Sequence, residues 1–186
     1  MSETIAATRL ITAEEFWDYC AGKDARLELV DGEIVEMSPA GPEHGRVDRK
    51  IVIPFGSYVE DHGIGEVFLN TGFTLKRDPD VTRGPDQAFV SAVRIAENPP
   101  PDRGFWPIVP DLVIEIVSPN DTASDINDKV TDYLDAGVHL IWLVYPNKRQ
   151  VHVIRPGWQI RVLKADDTLD GEDVIPGFQL SLLKIW

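Results

Sequence analysis

Glu115 is the residue that first points to chemistry. It lies in Leu112-Val113-Ile114-Glu115-Ile116-Val117, a run otherwise apolar and bracketed by Pro110 and Pro119. Runs of this β-branched kind read as strands buried on both faces. A carboxylate there needs a cation, a set of donors, or a proton taken up at a raised pKa. Lys129 is the candidate cation. In the helical pattern that begins at Ala123 it flanks the apolar stripe of Ile126, Val130 and Tyr133, so its stem can lie along the core and carry the ammonium to the strand end. Asp86 follows Pro85 at the head of a short strand pattern, Gln87-Ala88-Phe89-Val90, and read locally it is a turn aspartate. Brought to the same sheet edge as Glu115, it would face a like charge, and two carboxylates within about 4–6 Å raise each other's pKa unless a cation separates them. Mg2+ or Mn2+ resolves that conflict through hard oxygen ligands and water, with a bound water made acidic enough to attack phosphorus. Lys129 beside such a centre would orient that water or stabilise charge developing on a phosphoryl group.

Two further residues say less by themselves. Glu28 lies in Arg26-Leu27-Glu28-Leu29-Val30 and, read locally, is a surface strand glutamate paired to Arg26 or Lys23. His44 heads the stripe His44, Val47, Ile51, Phe55 and Tyr58, where a lone histidine is ordinarily a satisfied boundary residue.

The elements that must position these residues follow from periodicity. Thr12 and Glu15 have capping-box spacing and open a short helix toward Cys20. Asp31-Gly32 joins residues 26–30 and 33–37 as a hairpin, with Leu27, Leu29, Ile34 and Glu36 on one face. A helix from about Glu43 to His62 contains Pro54, which predicts a kink or two shorter helices. Short strands follow at 66–69 and 72–76, then a charged turn from Arg77 to Gly84 and the strand after Pro85. Ser91 to Pro110 is proline-rich with little periodicity and reads as a rim loop or flap. Thr122 or Asp121 caps the helix that carries Lys129, Gly137 ends it, and Val138–Tyr145 is a second apolar strand. This strand-helix-strand unit predicts a parallel pair with a right-handed crossover. A meander over 150–163 finishes the sheet, Asp166 to Glu172 is acidic turn, and 174–182 packs back as an extended tail. The fold class expected is α/β, bordering on α+β.

Length and composition bound the answer. At 186 residues and 43% apolar side chains the chain suits one domain, 1–186, with residues 1–8 frayed. No apolar run has transmembrane length and no basic-then-apolar leader precedes the body, so a cytoplasmic protein without membrane contact is expected. The net charge of −13 excludes a general polyanion binder. It leaves room for a nucleic-acid enzyme whose carboxylates bind metal and whose basic residues are gathered locally, with Arg46, Arg49, Lys50, Arg83, Arg94 and Arg103 as a candidate rim.

The sequence also resembles the Uma-two family, a bacterial group with a variant of the PD-(D/E)XK nuclease fold. The resemblance runs through Glu28-Leu29-Val30-Asp31-Gly32-Glu33, Met37-Ser38-Pro39-Ala40-Gly41 with His44-Gly45, Pro85-Asp86, Pro110 to Glu115 with Ser118-Pro119, Asp125 with Lys129 and Tyr133, Ala136-Gly137-Val138, and Ile175-Pro176-Gly177-Phe178. It implies a restriction-endonuclease-like mixed central sheet flanked by helices. It further implies a Mg2+-dependent DNA endonuclease or phosphodiesterase, with Asp86 as the aspartate of the pattern and Glu115 as its second acid. The lysine of that pattern is absent, because position 117 is Val117, and Lys129 from the following helix replaces it. Glu28 becomes an N-terminal acid that joins Asp86 and Glu115 at the metal directly or through water, and His44 an added pocket residue. Three classes of function remain: the nuclease, acting on DNA as a twofold homodimer; a catalytically silent binding or regulatory module of the same fold; and a structural domain in which Lys129 only pairs with Asp125.

Overall fold

Leu112 to Ile116 are all buried, as a strand covered on both faces must be. In the computed structural model, which describes residues 9–186, this strand is β7 and lies inside a six-stranded sheet. In chain order the elements are α1 (Ala13–Cys20), β1 (Leu27–Val30), β2 (Glu33–Glu36), α2 (Pro42–His62), β3 (Gly65–Leu69), β4 (Phe73–Lys76), β5 (Val81–Arg83) and β6 (Gln87–Ser91), then α3 (Ala92–Glu97), β7 (Leu112–Ile116), α4 (Ala123–Ala136), β8 (Leu140–Tyr145), β9 (Gln150–Arg155), β10 (Gln159–Leu163), β11 (Thr168–Asp170) and β12 (Gln179–Ser181). The large sheet runs β10-β9-β8-β7-β6-β3. Only β7 and β8 pair in parallel, Leu112 opposite Leu140 through Ile116 opposite Val144. The remaining pairs of that sheet are antiparallel, so it is mixed as expected.

Alternation along β7 divides the core. Leu112, Ile114 and Ile116 pack with Val47, Ile51, Phe55 and Val59 of α2. Val113, on the other face, packs with Val130 and Tyr133 of α4. Glu115 has the parity of Val113 and so faces α4, the helix that carries Lys129. Thr122 and Asp125 form a reciprocal capping box that fixes where α4 begins, and Gly137 ends it with φ 101°. The expected fraying of residues 1–8 falls outside the described residues.

Several expectations change. Of the kink or two shorter helices that Pro54 predicts, the two helices do not form: α2 runs unbroken through Pro54, because the buried stripe of Val47, Ile51, Phe55 and Val59 holds it where one backbone hydrogen bond is missing. The stretch read as a charged turn contains β5, and the 91–110 connection opens with α3. The acidic turn near Asp166 contributes β11, which pairs with β12. A second sheet, β2-β1-β5-β4, was not foreseen. It arises because β1 pairs with β5 through Leu29 opposite Thr82, while the Asp31-Gly32 turn, with φ of 47° and 78°, holds β1 against β2. Among the described residues no helix is long and apolar enough to cross a membrane.

Candidate active site

The two sheets meet the helices at one cluster of charges. Glu115, next to last in β7, is 7% exposed and accepts a hydrogen bond from the Tyr133 hydroxyl at 2.6 Å. Lys129 Nζ lies 3.3 Å from Glu115 Oε1 and 3.2 Å from Glu28 Oε1, so one ammonium ties β7 to β1. Glu28 is buried, and its carboxylate also accepts from Arg83 Nη1 at 2.8 Å and from the Gly84 amide at 3.2 Å. Arg83 in turn donates to Asp132 of α4 at 2.7 Å.

Asp86 immediately precedes β6 and forms the other half of the cluster. Its Oδ1 accepts from Arg26 Nη2 at 2.9 Å, while Oδ2 lies 3.0 Å from His44 Nε2 and accepts from the Ile116 amide at 2.8 Å. The β6–β7 pairing reaches Gln87 opposite Ile114. Past that point the Asp86 side chain continues the ladder by taking the amide of Ile116, two residues on, which fixes Asp86 beside Glu115. On α2, Asp48 accepts from Gln87 at 2.7 Å.

The electrostatics follow from burial and partners. Burial pushes the Glu115 carboxyl up; Lys129 opposes this, but the charges of Asp86 and Glu28 add to it, and the net direction is upward. For Asp86, burial is outweighed by the bond with His44, the Arg26 charge and the Ile116 amide, which together hold it below its ordinary value. Glu28 is likewise held low against its own burial, by Lys129 and Arg83. Burial disfavours the Lys129 ammonium, yet Glu115 and Glu28 raise it above its ordinary value. His44 is raised chiefly by its bond to Asp86. Buried beside Glu115, the Tyr133 hydroxyl is held well above its ordinary pKa and stays a donor.

All five residues singled out in the sequence, Glu28, His44, Asp86, Glu115 and Lys129, fall in this cluster. Lys129 does not pair with Asp125, whose carboxylate caps α4. Arg26, Arg83, Tyr133 and Asp132 were not foreseen as members. For Arg26 a signal existed, since it shares strand parity with Glu28, but its partner proves to be Asp86. Arg83 lies in a strand of three residues, too short for alternation to show. The proposed basic rim does not form as one group: Arg83 is buried, Arg94 pairs with Asp111, Arg103 with Asp18, Arg46 with Glu43, and Lys50 donates to the Trp186 carbonyl, while Arg49 is exposed on α2 beside Arg46 and Lys50.

Beside the cluster lies a groove of about 410 Å³ between the β1–β2 hairpin and α4. Asp31, Glu36, Asp121, Asp125, Asp128 and Asp132 line it, with Arg83 and Lys129. A recess of about 30 Å³ next to Met37 reaches Glu115 and Lys129.

Asp86 and Glu115 offer hard carboxylate oxygens, and Glu115 is raised first by its burial and then by the charges of Asp86 and Glu28. Among the described residues no three His, Cys, Asp or Glu side chains form a ready-made cage. Two carboxylates match the one or two that an ion such as Mg2+ takes while it keeps several waters.

A family model described as "Putative restriction endonuclease" (Uma2) matches residues 13–183. Among solved structures the chain is similar to one described as a "putative nuclease belonging to DUF820" from Anabaena variabilis, with a TM-score of 0.80 and 24% identity over 94% of this chain and 97% of that one. That likeness establishes a shared fold. No curated protein matches the chain.

Proposed function

The chain belongs to the Uma2 family of restriction-endonuclease-like proteins, and from that premise we propose that it is a metal-dependent DNA endonuclease, a phosphodiester hydrolase working as one unit over its length. The observation that carries the reading is the joint placement of Asp86, Glu115 and Lys129: two carboxylates held side by side through the Ile116 amide, with a protonated lysine on one of them. Asp86 and Glu115 would hold Mg2+, or Mn2+, which would neutralise phosphate charge and acidify a bound water. Glu28 acts through Lys129, which it keeps charged and in place, or contributes to the ion through water. Lys129 donates to oxygen atoms on which charge develops. His44 orients Asp86, and Tyr133 fixes the rotamer of Glu115.

A second reading, a silent module that keeps the fold without turnover, draws support from one fact: Asp86, Glu115 and Glu28 each already have a cation of the protein's own. Incubation with plasmid DNA in Mg2+ and in Mn2+, alongside melting with and without each ion, separates the two. The nuclease is expected to gain melting temperature from the ion and to nick DNA. Glu115→Gln should lose most of the ion-induced gain, and Lys129→Met should keep it while cleavage falls at least about tenfold, or about 1.4 kcal/mol of transition-state stabilisation. A parent with neither a shift nor nicking in either metal leaves the silent module standing. The reading also implies a cytoplasmic site of action and a twofold homodimer, since cutting both strands suits a symmetric pair.

A further inference from the structure

Among the cations of the cluster Arg26 differs in one respect: it touches a carboxylate and still reaches solvent. Its side chain is 29% exposed, against 12% for Lys129, 11% for His44 and 5% for Arg83. Among the described residues both hydrogen bonds of its side chain, to Asp86 Oδ1 at 2.9 Å and to the Gly84 carbonyl at 3.0 Å, come from the same nitrogen, Nη2. A guanidinium carries five N–H donors in a planar fork, so the donors on Nη1 and Nε remain for another acceptor. Such a fork matches the paired oxygens of a phosphodiester. The surroundings select the direction of approach. The groove beside α4 is lined by six carboxylates and would repel a nucleic-acid backbone, and Arg26 lines neither that groove nor the recess at Met37.

We propose that Arg26 has two successive partners: it is the resident counter-ion of Asp86 in the ion-free pocket, and it becomes the phosphodiester-binding residue once a divalent ion occupies Asp86. The proposal rests on the nuclease reading above. Asp86 Oδ2 is already engaged by His44 and the Ile116 amide, so Oδ1, the oxygen held by Arg26, is the one open to exchange. An ion there repels the guanidinium, whose other anchor, the Gly84 carbonyl, is neutral. Turned outward, the guanidinium presents its charge to the strand being cut. The same residue therefore competes with the metal and recruits the substrate, so removing it moves the two affinities in opposite directions.

The test uses the full chain and Arg26→Met, which keeps the stem and removes the charge. Mg2+ binding is read by calorimetry, and binding of a short DNA duplex by fluorescence anisotropy in Ca2+. In Arg26→Met, Mg2+ should bind at least about threefold tighter, as loss of a competing cation requires. The duplex should bind at least about tenfold weaker, as loss of a charged phosphate contact requires. A residue that only supports the fold would not produce opposed changes. Either affinity moving less than this, or in the other direction, overturns the proposal. Should Arg26→Met fail to fold without metal, Arg26→Lys is read by the same two measurements, where a point charge without the fork should lose duplex affinity with Mg2+ affinity equal to the parent's or higher; any other pattern overturns the proposal. A parent that neither binds Mg2+ nor cuts DNA removes the nuclease reading and this proposal with it. A parent that does both, beside a variant that matches it, removes this proposal alone.

Discussion

Asp80 does for α1 what Asp86 does for β7. Its Oδ2 accepts from the Ala13 amide at 2.8 Å and from Arg77 at 2.8 Å, and its Oδ1 from the Asp78 amide at 3.2 Å. Burial alone pushes this carboxyl up, but those donors outweigh it and hold the pKa below its ordinary value. The folded pKa is thus below the unfolded one, about 3.9, so the stabilisation is fully present above that pH and is lost as pH falls through the folded pKa. Melting followed from neutral pH downward should show a decline below about pH 4 that is shallower in Asp80→Asn. Tyr133→Phe tests another buried carboxylate: Glu115 loses its 2.6 Å donor, and denaturant unfolding should show a loss of about 1–3 kcal/mol, the cost of a polar group left short of a partner. At this scale Glu115 was legible in the sequence because a carboxylate in an apolar strand violates its surroundings. Lys129 was legible because helical spacing places it. Asp86 looked like any turn aspartate, and nothing local marks that its carboxylate completes a ladder.

Elements with a local cause were readable, and those with a distant cause were not. The Asp31-Gly32 turn is written within a few residues and occurs where the spacing put it, and of the two caps open for α4, Thr122 and Asp121, it is Thr122 that forms the box with Asp125. The β1–β5 pairing depends on strands far apart in the chain, so the second sheet left no local trace. Six residues of α3 give too little periodicity to separate from a loop. Two glycines make the element scale testable. A Cβ on Gly65 of β3 would lie 2.3 Å from the Val90 carbonyl oxygen and 2.6 Å from the Phe89 ring, so one side of the clash is backbone that cannot rotate away. Gly65→Ala should cost about 1–3 kcal/mol. Gly56, inside α2, has nothing within 4 Å of its would-be Cβ. Gly56→Ala should therefore stabilise by about 0.5–1 kcal/mol through helix propensity. Chemical denaturation of both variants checks the opposite signs.

For the molecule as a whole, the charge of −13 limits how nucleic acid can be held. Cations scattered in separate ion pairs do not form a broad phosphate-binding face. Affinity for a duplex in Ca2+ should then depend only weakly on salt, with a log–log slope no steeper than about −3, as for roughly three neutralised phosphates. Anisotropy at several NaCl concentrations measures it, and a slope much steeper than that would mean a basic face formed in some other way. The β10 edge bears on assembly. Ile160 and Val162 are 51% and 46% exposed there, and the strand has a partner on one side only. An open, apolar edge can pair with a second copy about a twofold axis, and light scattering should give twice 20.8 kDa at micromolar concentration. Charge and length were plain in the sequence, whereas the dispersal of the basic residues was not, because each partner lies on another element.

The bond from the Ile116 amide to Asp86 also makes the site audible without any substrate. A backbone proton held by a carboxylate oxygen, and not by a neighbouring strand, exchanges with solvent at a rate set by that one side chain. Deuterium uptake at Ile116 becomes a gauge of what Asp86 is holding, and adding Mg2+ should change uptake there while leaving Val113 and Ile114, deep in the same strand, keeping time as before.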